Sequence, residues 1–163
     1  GEVVVLPDES GKRPPGIFFD YCDNKELYQH VWRGGVYHTG DMAWKDEDGY
    51  SWFNGRSDDI IKPGGYRVGP FDIENVLLEH PSVLECSVVG VPDKLRGQAI
   101  KAFVLLAPGY EASSDLKKEL KVFCNERTSE YKWIRFIDFV DEMPKTFSGK
   151  IKKRDLREWD QVN

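Results

Sequence analysis

The chain has 163 residues, a formal net charge of −5 and 40% hydrophobic residues, a length that suits one domain, or one domain plus part of a second. No stretch approaches the ~18 consecutive apolar residues of a membrane span, and Cys22, Cys86 and Cys124 are too few and too widely spaced for a disulfide framework, so a reducing compartment is expected, by default the cytoplasm. His30, His38 and His80 stand far apart with no partner at metal-ligand spacing, and no metal site is expected from these residues.

In chain order, Gly1 to Pro7 reads as an opening strand, and with neither an initiator Met nor a signal peptide ahead of it the sequence is expected to belong to a longer chain. A Pro/Gly loop at 7–16 leads to a short helix near Asn24–Trp32, and the Asp46-Glu47-Asp48-Gly49 turn leads to a strand around Tyr50–Asn54. By themselves residues 1–57 lack a self-contained plan. From Asp58 the pattern becomes regular. Ile60–Lys62 and Tyr66–Val68 read as short strands joined in a tight hairpin through Pro63-Gly64-Gly65, because glycine adopts positive φ at little cost. Pro70 opens a helix, with Asp72 and Glu74 near its positive end and Ile73, Val76 and Leu77 along one face; His80-Pro81-Ser82 stops it. Val83–Val91 and Ala99–Leu106 are apolar, β-branched runs of strand length. Ser113 or Ser114 caps a second helix with Leu116, Leu120 and Phe123 on one face; Trp133–Val140 reads as a strand and 153–159 as a terminal helix. The order ββαββαβα predicts an α+β domain, small helices packed on a short mixed sheet.

Two regions carry charge in patterns that invite chemistry. Residues 143–157 hold Lys145, Lys150, Lys152, Lys153, Arg154 and Arg157 against Asp155 alone. The run is not a Walker phosphate loop, which needs Gly where Pro144 stands and Ser or Thr where Ile151 stands; a solvated basic tail and a phosphate-directed lysine both remain open. In "YHTGD", residues 37–41, Asp41 follows a glycine, as a turn aspartate or as an acceptor for ribose hydroxyls. "FNGRSDDIIKPGGYRVGPFDIE", residues 53–74, joins Arg56, Asp58 and Asp59, a double glycine, and Arg67 just before a helix start. Adjacent side chains on extended backbone point to opposite sides, so Asp58 and Asp59 are not expected to share a proton.

Thr39-Gly40-Asp41, Gly55-Arg56-Ser57-Asp58-Asp59, Gly64-Gly65-Tyr66-Arg67-Val68-Gly69-Pro70 with Glu74, and Pro144-Lys145-Thr146 through Ser148-Gly149-Lys150 stand in the order and spacing of the adenylate-forming enzymes. "GIFFDYCDN", "KDEDGY", "HPSVLE" and "VPDKLRGQAIKAFVLL" make nearly the whole chain resemble the medium-chain acyl-CoA synthetases in particular. The resemblance implies residues 1–57 as the β-rich end of a large adenylate-forming domain and 58–163 as its mobile C-terminal lid. It implies an AMP-forming acid:CoA ligase, acting on a carboxylic acid with ATP and CoA as substrates and Mg2+ in the parent enzyme. By position, Asp41 would hold the ATP ribose, Arg56 would reach the same ribose or its phosphate side, and Arg67 would approach the nucleotide phosphate. Asp58 would be the hinge. Lys150 would bridge acyl carboxylate and α-phosphate during adenylation. Gly64, Gly65 and Tyr66 would line the path of the pantetheine arm, Arg96 would meet a CoA phosphate, and Trp133, Ile134 and Arg135 would lie against the CoA nucleotide. "SEYKWIR", residues 129–135, departs from the pattern by lacking the two prolines common there.

The family's triphosphate loop, adenine-binding motif and acyl pocket are not found in these residues, so the isolated chain is expected to be inactive. Two rivals stand beside the ligase: the lid of an adenylation domain that loads a carrier protein or of an adenylate-forming oxidase, and a module whose basic tail binds polyanions. The acidic total and the lack of aromatics interleaved in the tail speak against nucleic acid.

Overall fold

Local capping chemistry starts the first helix. In the computed structural model, which describes residues 1–18 and 20–162, the Asn24 side chain accepts from the Leu27 N–H and opens α1 (Lys25–Val31). Phe19 of the "GIFFDYCDN" run and Asn163 of the predicted second domain lie outside the described residues. The chain forms two units, Gly1–Asp58 and Asp59–Asn163.

The first unit is a sheet built on one long strand. β1 (Glu2–Val5), β2 (Trp32–Arg33) and β4 (Ser51–Arg56) each pair antiparallel with β3 (Val36–Lys45). Asp46 organises the turn between β3 and β4, accepting from the Trp52 indole N–H and the Tyr50 N–H. Those bonds, the indole first, hold its carboxyl below the usual range. Among the described residues of this unit no hydrophobic side chain is buried, while Val3, Trp44, Trp52 and Phe53 are exposed.

In the second unit the core forms between Ile61 and Leu156. Its elements are α2 (Pro70–Leu78), β5 (Val83–Asp93), β6 (Gly97–Leu106), α3 (Ser114–Glu126), β7 (Phe136–Phe139) and α4 (Lys153–Val162), with 3-10 turns at Pro63–Gly65 and Glu130–Lys132. β5 and β6 are antiparallel, β7 joins β6 in parallel, and the order β5-β6-β7 makes a mixed sheet. Alternation along the strands sends successive side chains to opposite faces. Val88, Ile100, Ala102 and Ile137 pack with Ile73 and Leu77 of α2 and with Leu116, Leu120 and Cys124 of α3. Val89, Val91 and Phe103 pack with Met143 and with Leu156 of α4. The architecture is α+β. Among the described residues no helix is long and apolar enough to cross a membrane.

Three expectations need correction. The hairpin at 60–68 is a single bridge, Ile61 to Val68, closed by a 3-10 turn, since positive φ at Gly64 (58°) and Gly65 (90°) coils the connection instead of prolonging two strands. The third core position of α3 is Cys124, while Phe123 is half-buried with its ring edge-on to His80, 4.9 Å between centroids. The strand predicted over Trp133–Val140 narrows to Phe136–Phe139, because the 3-10 turn and its cap occupy the residues before it.

Candidate functional site

In the first unit, pairing of β3 with β4 sets Asp41 opposite Arg56. The Arg56 guanidinium donates to the Thr39 carbonyl (3.0 Å), to Asp41 Oδ1 (3.2 Å) and to Asp58 Oδ1 (3.0 Å). Burial works against its charge, but the carboxylates of Asp58 and Asp41 outweigh it and raise its pKa above the ordinary value. Gly40 makes the close approach possible. Its φ is +77°, and a Cβ there would stand 2.6 Å from Arg56 Nη2. The Thr39 hydroxyl donates to the Val3 carbonyl and accepts from the Asp41 N–H, fixing the backbone that presents the carboxylate. Asp41 remains part-exposed, able to accept hydrogen bonds from hydroxyls outside the chain. Asp58, the last residue of this unit, is exposed and held by Arg56.

In the second unit a cleft of about 490 Å³ is lined by Pro63, Gly64, Tyr66, Arg96, Trp133 and Arg135, together with Glu130 and Tyr131. The Gly64 N–H donates to the Arg96 carbonyl (3.0 Å), tying the 3-10 turn to the connection between β5 and β6. That connection is itself set by Asp93, whose Oδ1 accepts from the N–H groups of Arg96 and Leu95. These bonds, the Arg96 N–H first, lower its pKa. Cβ atoms built on Gly64 and Gly65 meet nothing within 4 Å, so the turn borders open space. The Arg135 guanidinium lies 5.9 Å from the Trp133 ring. The structure therefore gathers Gly64, Tyr66, Arg96, Trp133 and Arg135. Ile134 departs from the expectation: its side chain is fully buried in the core, so the surface it was expected to offer belongs to its neighbours. Gly65 is exposed on the same turn, and Arg67 is exposed just beyond it.

Lys150 lies outside that cleft, on a tight loop closed by a bridge between Lys145 and Ile151. Thr146 organises the loop: its N–H donates to the Lys150 carbonyl (2.8 Å), its carbonyl accepts from Gly149, and its hydroxyl accepts from the Lys150 N–H. Both ends are anchored by ion pairs, Lys145 to Glu85 (2.9 Å) and Lys153 to Glu74 (2.8 Å). Lys150 is thus an exposed ammonium on a defined backbone, beside a fully exposed Phe147. Such a lysine can reach an anion without first being desolvated. The basic run is not a loose tail, since Lys145, Lys153 and Arg157 are committed to Glu85, Glu74 and Asp59. Among the described residues no three His, Cys, Asp or Glu side chains converge as a metal site would require.

Residues 72–150 match the family described as the AMP-binding enzyme C-terminal domain. The chain is 48% identical over 161 residues to the mitochondrial acyl-coenzyme A synthetase ACSM3 of Rattus norvegicus, covering 96% of this chain and 27% of that protein. Residues 72–150 are thus of the AMP-binding enzyme C-terminal domain family. It is also 49% identical over 164 residues to 4-hydroxybutyrate–CoA ligase 1 of Metallosphaera sedula, over 96% of this chain and 29% of that protein. Among solved structures, an anthranilate CoA ligase in complex with anthranoyl-AMP superposes with a TM-score of 0.79 at 37% identity, over 98% of this chain and 33% of that one. The chain therefore spans under a third of the length of these relatives.

Two features of the second unit escaped sequence reasoning. Tyr131 stacks on Tyr66, with centroids 4.9 Å apart and planes 14° from parallel. Its only trace in the sequence is an aromatic residue in "SEYKWIR", and nothing there names a partner 65 positions away. Glu74, expected only near the positive end of α2, also accepts from the Val88 N–H at 2.7 Å and pairs with Lys153 at 2.8 Å.

Proposed function

We propose that the chain is the C-terminal portion of an AMP-forming acid:CoA ligase that converts a carboxylic acid and ATP to acyl-AMP and pyrophosphate, then passes the acyl group to the thiol of CoA. The observation that carries the reading is the separation of two chemistries within one unit: Lys150 on its anchored loop, and the glycine-lined cleft of Tyr66, Arg96, Trp133 and Arg135 apart from it.

In the first half-reaction the acid's carboxylate attacks the α-phosphate and negative charge gathers between them. Lys150 meets that charge as a compact cation, stabilising the transition state more than the ground state. Asp41 accepts the ribose hydroxyls, Arg56 keeps Asp41 in place and faces the ribose, and Arg67 faces the phosphate. Mg2+ with ATP would supply further charge neutralisation. In the second half-reaction the CoA sulfur attacks the acyl carbonyl and AMP leaves. Gly64 and Gly65 leave room for the pantetheine arm along Tyr66, and Arg96, Trp133 and Arg135 bind the nucleotide end. Residues 58–163 would act as a lid turning about Asp58, a boundary where a few torsions suffice. The short- and medium-chain acids are the proposed substrates, on the resemblance of the sequence to the medium-chain acyl-CoA synthetases. The cytoplasm is the compartment proposed from the cysteines, while the rat relative carries "mitochondrial" in its name.

The test separates the half-reactions in the full-length enzyme. Lys150→Ala should lower ATP–pyrophosphate exchange by about a hundredfold, the usual loss for one electrostatic partner of a transition state. Supplied with ready-made acyl-AMP, the same variant should form acyl-CoA at a near-normal rate. Equal slowing of both steps refutes the two-orientation reading. Transfer to a carrier-protein thiol in preference to CoA refutes the ligase.

A further inference from the structure

The turn that carries Gly64 and Gly65 is held at few points. Pro63 is buried at its start and its carbonyl accepts from the Tyr66 N–H, the Gly64 N–H is bound to the Arg96 carbonyl, and Cβ positions at the two glycines face open space. At its far end stands Tyr66, 58% exposed. An exposed side chain beside two glycines would sample several rotamers, because glycine restrains neither its own backbone nor its neighbour. Here the ring is not free. It lies flat against Tyr131, itself 40% exposed, in an offset stack.

The element that presents Tyr131 is anchored independently. Tyr131 occupies the centre of the Glu130–Lys132 3-10 turn, closed by the Trp133 N–H to the Glu130 carbonyl and the Lys132 N–H to the Ser129 carbonyl. Lys132 Nζ pairs with Asp72 Oδ2 at 2.6 Å, fixing the turn to the first turn of α2. Ile134 plugs the following residues into the core, and its N–H donates to Asn125 Oδ1. One partner of the stack thus rides on a fixed element and the other on a pliant one. In such a pair the fixed ring sets the position of the other.

We propose that Tyr131 is a positioning residue for acyl transfer: by stacking on Tyr66 it holds the Gly64-Gly65-Tyr66 turn in the shape that lets a thiol-bearing arm pass. The proposal rests on the reading of this turn as the thioester-forming one.

In the full-length enzyme, Tyr131→Ala should lower kcat/KM for CoA in transfer from ready-made acyl-AMP by roughly two- to tenfold, the range that loss of one aromatic pair allows. Pyrophosphate exchange should stay at the wild-type rate. Tyr131→Phe keeps the ring and should restore transfer. Gly65→Leu is the control for the underlying reading and should block transfer by bulk. In the 163-residue chain itself, amide hydrogen exchange at Gly65 and Tyr66 should quicken in Tyr131→Ala and not in Tyr131→Phe. Wild-type transfer by Tyr131→Ala, equal slowing of both half-reactions, or failure of Tyr131→Phe to restore transfer overturns the proposal. If Gly65→Leu transfers normally, the reading of the turn falls first. If Gly65→Leu blocks transfer and Tyr131→Ala does not impair it, the positioning role alone is wrong.

Discussion

Glu74→Ala should be the most damaging polar substitution in the second unit. The carboxylate is 15% exposed and its Oε1 serves two donors, the Val88 N–H of β5 at 2.7 Å and Lys153 Nζ of α4 at 2.8 Å. Val88 is fully buried, so its N–H would lose its partner in a place water reaches poorly, a loss of about 1–3 kcal/mol. Lys153, 17% exposed, would be left as a largely buried charge without its partner; such losses run to about 3–5 kcal/mol when burial is complete. Because Lys153 stands at the first residue of α4 and can turn outward, its share falls below that range, to about 1–2 kcal/mol, and with the lower part of the Val88 range the expected total is about 3 kcal/mol. Glu74→Gln retains an acceptor for Val88 and forfeits only the charge, and should lose about half as much. The assay is urea unfolding of the 163-residue chain, where about 3 kcal/mol displaces the midpoint by roughly 1–3 M. Adding Lys153→Met to Glu74→Ala should recover more than about 1 kcal/mol, since no charge is then stranded. A loss under about 1 kcal/mol for Glu74→Ala, or equal losses for Ala and Gln, would refute the reasoning.

Further outcomes follow from the same geometry. In the native chain at pH 8 an alkylating reagent should label exposed Cys22 alone quickly, since burial, with Glu74 nearby, pushes the Cys86 thiol up to about 12, and burial pushes Cys124 to about 11; rapid modification of all three by mass spectrometry would contradict the packing. Asp138 is raised by burial and lowered more by hydrogen bonds from Lys101 and Lys117, for a net shift below 3.8. Its contribution is therefore present above that value and lost as pH falls through its lower folded value. The stability gap between wild type and Asp138→Asn should close on acidification below pH 3.8, and a gap that widens there would be the wrong sign. Gly40→Ala adds a Cβ 2.6 Å from Arg56 Nη2 at a φ of +77°, so Arg56 must swing off Asp41; AMP binding by the full-length enzyme should weaken roughly tenfold by calorimetry, and an unchanged affinity would remove Arg56 from the site.

Where a structural choice depends on neighbours in sequence, the residues announced it. Asn24 as a cap, Pro70 at the first turn of α2 and the β-branched runs that became β5 and β6 each act within a few positions. The failures share a physical origin. Phe123 and Cys124 are both apolar and adjacent, and a period of 3.6 residues cannot decide which turns inward until α2 and the sheet are in place. Pro63-Gly64-Gly65 suits several turns, and its coiling followed from closure of a single bridge. Ile134 was given a surface role along with Trp133 and Arg135, although alternation would have warned that the middle residue faces the other way. For the candidate site, the residue types at 41, 56, 64–67, 96 and 150 were legible from motif order. The supports were not, because Glu74 with Val88, Tyr66 with Tyr131 and Lys145 with Glu85 are partners across 14, 65 and 60 positions.

The three-stranded sheet of the second unit has two open sides, and each is dressed. Along β5 the Glu74 carboxylate takes the Val88 N–H, and beside β7 Lys121 Nζ donates to the Arg135 carbonyl while Lys101 and Lys117 flank Asp138. Charge placed on a bare strand hinders another chain from zipping onto it. Protection of these edges is then a property of a few charged side chains instead of the overall net charge. Acetylating Lys117 and Lys121 would release the Asp138 carboxylate from Lys117 and uncover the Arg135 carbonyl, and light scattering should register self-association long before the fold itself gives way.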